Sequence, residues 1–182
     1  MNRKARGMLV AGLLTLAGAQ VAGAQARGYV GFGGGVSIPT GEFADAVNTG
    51  VMGQVVAGIT GPTGVIGGRV NGTYTHHGFD LVDDARIRFI GAMGDVVFSP
   101  GVADAKLRPY LLGGLGFQNF SETDPLGGDD FSETEFAFNF GGGVNIALGR
   151  MKLFIEGRWL SIRTEDAVSL IPLSIGLRFG GN

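Results

Sequence analysis

Between Glu135 and Ile146 the chain alternates with a period of two. Phe136, Phe138, Phe140, Val144 and Ile146 fall on one side, and Glu135, Ala137, Asn139, Gly141, Gly143 and Asn145 on the other. Successive side chains of a strand point to opposite faces, so such alternation marks a strand whose faces meet different media. A helix repeats every 3.6 residues and cannot produce it. The end of the chain repeats the pattern: Leu173, Ile175, Leu177 and Phe179 oppose Pro172, Ser174, Gly176 and Arg178. Eight such segments are readable, at 28–38, 50–60, 64–76, 86–98, 106–119, 134–148, 151–163 and 168–180. Each is near or above the roughly 9–11 residues that a tilted strand needs to cross a bilayer.

The connections alternate in length. Long ones are expected at 39–49, 77–85 and 120–133, with a shorter one at 164–167. Gly61-Pro62-Thr63 and Leu148-Gly149-Arg150 are tight turns, and Pro100 to Asp104 is intermediate. Long loops on one side and short turns on the other form the pattern of outer-membrane barrels, with both termini on the periplasmic side when the strand count is even. Phe120-Ser121-Glu122-Thr123 recurs as Phe131-Ser132-Glu133-Thr134 and reads as the two arms of one hairpin.

Alternation alone does not say whether the apolar face meets lipid or a core. The opposite face decides it. In the first segment it is Tyr29, Gly31, Gly33, Gly35 and Ser37, and in the fifth Tyr110, Leu112, Gly114 and Gly116. Water-facing strands carry Lys and Glu, whereas glycine weakens a strand. Glycine makes up 35 of 182 residues, and only Lys106 and Lys152 follow residue 26. Charged residues are 16% of the chain, against roughly a quarter in soluble domains. Disorder is excluded by a hydrophobic content of 45%. Small residues suit the inside of an eight-stranded barrel, which is only just wide enough for side chains.

The strand charges agree. Arg69, Asn71, Thr73 and Thr75 alternate against Ile66, Val70 and Tyr74, and Glu156 and Arg158 against Leu153, Ile155 and Trp159. A charge facing lipid at mid-membrane costs about 2–4 kcal/mol. In the lumen Glu156 can pair with Arg158, Arg69 or Arg178. If Asp95 faces the lumen, Arg88 faces out near the loop-side interface, unless a bulge intervenes. Tyr74, Trp159, Phe179 and Phe98, near segment ends, suit interfacial aromatic girdles as well as ordinary packing.

The N-terminus reads as an export signal. Arg3, Lys4 and Arg6 precede an apolar run from Met8 to Ala19, and Ala24-Gln25-Ala26 forms a small-x-small cleavage site. The run is too short to span a membrane as a helix. The expected division is a signal peptide over 1–26 and one β-barrel domain over 27–182. Cleavage takes away three of the 14 basic residues and none of the 16 acidic ones, leaving a net charge of −5. That argues against nucleic acid, which needs a basic face. The chain has no cysteine, which excludes disulfides and a lipid-modified cysteine.

The chain resembles the small bacterial outer-membrane β-barrel family, of the OmpA-barrel, OmpX and opacity-protein type. The resemblance covers 27–180. It rests on Gly31-Phe32-Gly33-Gly34-Gly35 leading to Ile38-Pro39-Thr40-Gly41-Glu42-Phe43, on Leu107-Arg108-Pro109-Tyr110 before Gly113-Gly114-Leu115-Gly116, and on Glu156-Gly157-Arg158. It implies an all-β, eight-stranded, antiparallel up-and-down transmembrane barrel in the outer membrane, in contact with its lipids and lipopolysaccharide. It also implies assembly by the outer-membrane insertion machinery, which reads a terminal strand ending in an aromatic. Leu173 to Phe179 matches that signal, and Gly180-Gly181-Asn182 departs from it.

No catalytic, cofactor-binding or metal residues are assigned. The two histidines, His76 and His77, are adjacent, so on a strand they point apart. The glycine-rich stretches lack the Gly-Lys-Ser/Thr of a phosphate loop. Glu122, Asp124, Asp129, Asp130, Glu133 and Glu135 crowd one hairpin, and His77, Asp80, Asp83 and Asp84 another. Such clusters can hold Ca²⁺ or Mg²⁺, but a solvated acidic surface, open to a partner, is the simpler reading. The expected protein is a monomeric, non-catalytic barrel with a structural or surface-interaction role. The alternatives are a narrow channel for ions or small solutes, and a soluble periplasmic ligand-binding barrel.

Overall fold

The computed structural model describes residues 26–41, 44, 47–78, 86–101, 105–123, 131–164 and 168–181. The expected signal peptide, apart from Ala26, lies outside the described residues. Eight strands follow one another: β1 (Arg27–Thr40), β2 (Gly50–Thr60), β3 (Ile66–Gly78), β4 (Arg86–Phe98), β5 (Leu107–Thr123), β6 (Phe131–Leu148), β7 (Met151–Ile162) and β8 (Val168–Gly180). Each pairs antiparallel with the next, and β8 closes on β1.

Closure carries a stagger. From Tyr29 the register passes through Gly58, Arg69, Asp95, Gly114, Asn139, Leu160 and Leu170, and returns to β1 at Pro39, ten residues along. In an eight-stranded barrel such a stagger goes with strands tilted by roughly 35–45° and a lumen only wide enough for side chains.

The faces are inverted relative to a water-soluble protein. Val51 is 70% exposed, and Val96, Leu111, Leu115 and Phe140 are each 60% or more. Arg69, Asn71, Asp95, Gln118 and Glu156 are buried. An apolar belt around the whole outside is a lipid-facing surface, and it rules out the soluble ligand-binding barrel. Tyr74 and Trp159 stand outward near the loop end, and Phe98 and Phe179 outward near the turn end. Trp159 packs between Phe138 and Phe140, with ring centroids at 5.4 and 5.2 Å.

Crowding explains the inward glycines. A methyl group added at Gly33 would come within 2.9 Å of the Phe154 ring, and one at Gly143 within 2.7 Å of the Tyr110 hydroxyl. The outward Gly53 and Gly68 have nothing within 4 Å of such a group. Gly149 serves a different need: at φ +64° it makes the two-residue turn between Leu148 and Met151.

β4 pairs with β3 without interruption from Arg86 to Phe98, so no bulge separates Arg88 from Asp95. Asp95 is buried in the lumen and Arg88 is exposed outward near the loop end. The strands run further than their alternation suggests. β5 and β6 continue to Thr123 and from Phe131, pairing Ser121 with Ser132 and Glu122 with Phe131. The repeated Phe-Ser-Glu-Thr segments are thus the two arms of one hairpin. The apolar-out alternation fades there because the outward face turns polar, with hydrogen bonds from Asn119 to Ser132 and Thr134, while inward Phe120 still packs on Phe89.

Candidate functional site

The middle of the lumen is filled by charge. Arg69 and Asp95 are direct cross-strand partners on β3 and β4, and Glu156 and Arg158 are inward neighbours on β7. Arg69 reaches Glu156 at 2.6 Å and Asp95 at 3.1 Å. Arg158 reaches Glu156 at 2.6 Å and Asp95 at 3.5 Å. Two acids and two bases thus form a closed, neutral square whose side chains are at most 7% exposed.

Polar neighbours complete it. The Tyr110 hydroxyl donates to Glu156 at 2.7 Å, and the Asn139 amide to Asp95 at 2.9 Å. Arg158 donates to Gln54 at 3.3 Å, and Gln54 in turn to Ser174 at 2.7 Å. With its carboxamide oxygen turned to Arg158, Asn71 accepts from both terminal nitrogens at 2.6 and 2.7 Å. Buried charges are tolerated only when paired and hydrogen-bonded in this way. The glycine faces make the room: a Cβ at Gly114 would strike Asp95, and one at Gly141 would strike Arg158.

The pairing of Glu156 with Arg158 and Arg69 agrees with the sequence expectation. Arg178 does not join them. Glu156 lies opposite Ser174, whereas Arg178 lies opposite Lys152, four residues nearer the short turns. There its guanidinium stacks 3.7 Å over the Tyr29 ring and donates to Asn145 at 3.3 Å. Asp95 proves to be a full second acid. Tyr110, Asn71, Gln54, Asn139 and Ser174 went unassigned, although each sits at an inward position of its strand.

Above the square, toward the loops, Val47, Phe89, Met93, Ala137, Leu160, Ile162 and Leu170 form an apolar cluster. Below it, Val97, Tyr110 and Leu112 form a smaller one. Three plugs, one charged and two apolar, therefore stack along the axis.

The histidines do not converge. His77 is fully buried, with its Nδ1 2.8 Å from the carbonyl oxygen of Asn48, while His76 lies on the opposite face of β3. This also removes His77 from the acidic loop to which the sequence assigned it. Its expected companions Asp80, Asp83 and Asp84 lie outside the described residues, as do Asp124, Asp129 and Asp130 of the other cluster. Among the described residues no three His, Asp or Glu side chains are placed to share a metal ion.

The sequence matches the family model for the outer membrane protein β-barrel domain over residues 8–179. Comparison with curated protein sequences found no match. Several solved structures share the fold. Neisserial surface protein A superposes with a TM-score of 0.63 at 17% identity, covering 86% of this chain and 98% of that one. A major outer membrane protein of Thermus thermophilus gives 0.61 at 14% identity, covering 86% and 99%. Ail, the attachment invasion locus protein of Yersinia pestis, gives 0.58 at 12% identity, with the same coverage of 86% and 99%. At these identities the likeness is one of fold.

Proposed function

The chain belongs to the outer membrane protein β-barrel family, and on that premise we propose that it acts as a closed, non-catalytic barrel that stabilises the envelope or presents its loops to a partner. Its place is the bacterial outer membrane, with the apolar belt in the lipid. The observation that carries the proposal is the charge square. Each of Arg69, Asp95, Glu156 and Arg158 is engaged in two ion pairs. A lumen whose centre is a bonded network flanked by two apolar clusters supports a closed barrel over a solute path.

Reconstitution in planar bilayers tests this. The expected record is a flat baseline. Steady, reproducible unit currents would establish the narrow channel instead.

Partners would meet the long-loop end. One structure of Ail is a complex with the heparin analogue sucrose octasulfate. The loop segments of the present chain carry Asp80, Asp83, Asp84, Asp124, Asp129 and Asp130, a poor match for a polyanion. A cationic partner fits them better. The proposal includes removal of residues 1–26 during export. Protein recovered from outer membranes should then begin at Arg27, and N-terminal sequencing that starts at Met1 would refute cleavage.

A further inference from the structure

At the short-turn end the lumen opens into a hollow of about 270 Å³. Adjoining it is an inner chamber of about 30 Å³, beside Tyr29 and Asn145. Arg27, Arg108 and Lys152 line the outer space, and Arg108, Lys152 and Arg178 the inner one. They come from the ends of β1, β5, β7 and β8, and all four occupy inward positions, in phase with the buried Tyr29, Tyr110, Phe154 and Ser174. Among the described residues no carboxylate lines either space. The two lumenal acids, Asp95 and Glu156, are held higher up by Arg69 and Arg158.

Two of the arginines are fixed but not satisfied. Arg108 donates through one terminal nitrogen to the carbonyl oxygens of Gly64 and Ser99, bracing two turns. Arg178 is held by its face on Tyr29 and by one bond to Asn145. The Nε of each is buried and has no hydrogen-bond partner. A buried donor without an acceptor is costly. Both Nε atoms are closed off from the hollow, so an acceptor that enters from outside meets the terminal nitrogens of these guanidinium groups.

We propose that this mouth binds a small, multiply charged oxyanion of the phosphate class, taken from the aqueous side. Three arginines and a lysine around two adjoining spaces that share Arg108 and Lys152 favour more than one negative charge, and the planar guanidinium edge matches phosphate oxygens. The hollow is smaller than the roughly 300–1,000 Å³ of a drug-sized ligand site. Because all four side chains face the lumen, lipid headgroups around the outside of the barrel do not reach them.

The test is calorimetric titration of inorganic pyrophosphate into the full chain, purified from outer membranes in non-ionic detergent at low salt. One saturable site is expected. It should weaken at least tenfold in Arg178→Gln and in the double variant Arg27→Gln/Lys152→Gln, with heat-modifiable gel migration confirming that each barrel is folded. Arg163→Gln, at the opposite end, should bind like the parent. Absence of a saturable site, or equal affinity in both basic-mouth variants, would overturn the proposal. So would binding of citrate without pyrophosphate. Nanodiscs with and without phosphatidylglycerol separate the sources. Equal pyrophosphate binding in both supports a soluble ligand, and competition by the lipid would overturn the aqueous assignment.

Discussion

Replacing Glu156 by alanine is expected to lower the stability of the barrel by about 3–5 kcal/mol, the usual cost of removing one partner from a buried ion pair. The reason is geometric. Glu156 accepts from Arg69, Arg158 and Tyr110, at 2.6, 2.6 and 2.7 Å. Its loss leaves two guanidinium groups facing the single carboxylate of Asp95, and a buried phenol without an acceptor. Unfolding in urea, followed by the fluorescence of Trp159, the one tryptophan in the chain, would read the change. A companion variant separates charge from volume. Arg69→Met, Asp95→Leu, Glu156→Leu and Arg158→Met together remove the whole square and leave no buried charge uncompensated, so the loss that remains should come from the neutral groups Tyr110, Asn139, Asn71 and Gln54, which lose their partners. A loss below about 1 kcal/mol in Glu156→Ala alone would mean that water already reaches the square, because only solvent screening makes an ion pair so cheap to lose.

The second large effect is steric. Gly33→Leu should abolish the heat-modifiable, folded form, whereas Gly53→Leu should leave it intact. A Cβ at Gly33 meets the carbonyl oxygen of Ile175 at 2.6 Å and the Phe154 ring at 2.9 Å. The rest of a leucine side chain has nowhere to go. Overpacking costs about 1–3 kcal/mol even where neighbours can shift, and here one of the neighbours is the backbone of the adjoining strand. Gly53 projects into lipid with nothing near it. Adding Phe154→Ala to Gly33→Leu should recover part of the folded fraction but not all, because the Ile175 carbonyl stays in place. Equal folding yields for Gly33→Leu and Gly53→Leu would show that the lumen is looser than its geometry implies.

Much of this was legible in the chain because the lumen and the lipid impose opposite demands. Phe136, Phe138 and Phe140 against Ala137, Asn139 and Gly141 give strand, face and medium together. The eight segments, their order and their inward residues follow from that rule. Strand ends were less legible. β5 and β6 extend to Thr123 and Phe131 through an outward face that has turned polar at Ser121, Ser132 and Thr134, so the apolar-out periodicity ends before the strands do. The partners of Glu156 were half legible. Parity names the inward residues, but only the register tells which of Arg69, Arg158 and Arg178 share its level. That register depends on how each hairpin turns, and a one-residue change in a loop would move Arg178 relative to Glu156. Tyr110 and Asn139 were overlooked for a related reason: each gains its role from a partner on a strand that is distant in sequence. The basic mouth carries no local motif, since Arg27, Arg108, Lys152 and Arg178 stand singly on four strands.

The connectivity also bears on how the barrel forms. Seven of the hydrogen-bonded strand pairs join neighbours in sequence, and one, β1 with β8, joins the two ends of the domain. The seven are hairpins, which can form locally and early. The last must wait for the rest of the domain, because long-range pairing is slow while chain entropy opposes it. Along that seam Gly31 to Gly35 faces Arg178 to Ser174, with Gly33 directly opposite Gly176. On the inner face the β1 edge carries no side chain from Gly31 to Gly35, so it can approach β8 without rearranging what already fills the interior. The glycine run on β1 then acts as the zip of the barrel, and substitutions there should slow folding, whereas those on the outer face change only how well the finished barrel sits in lipid.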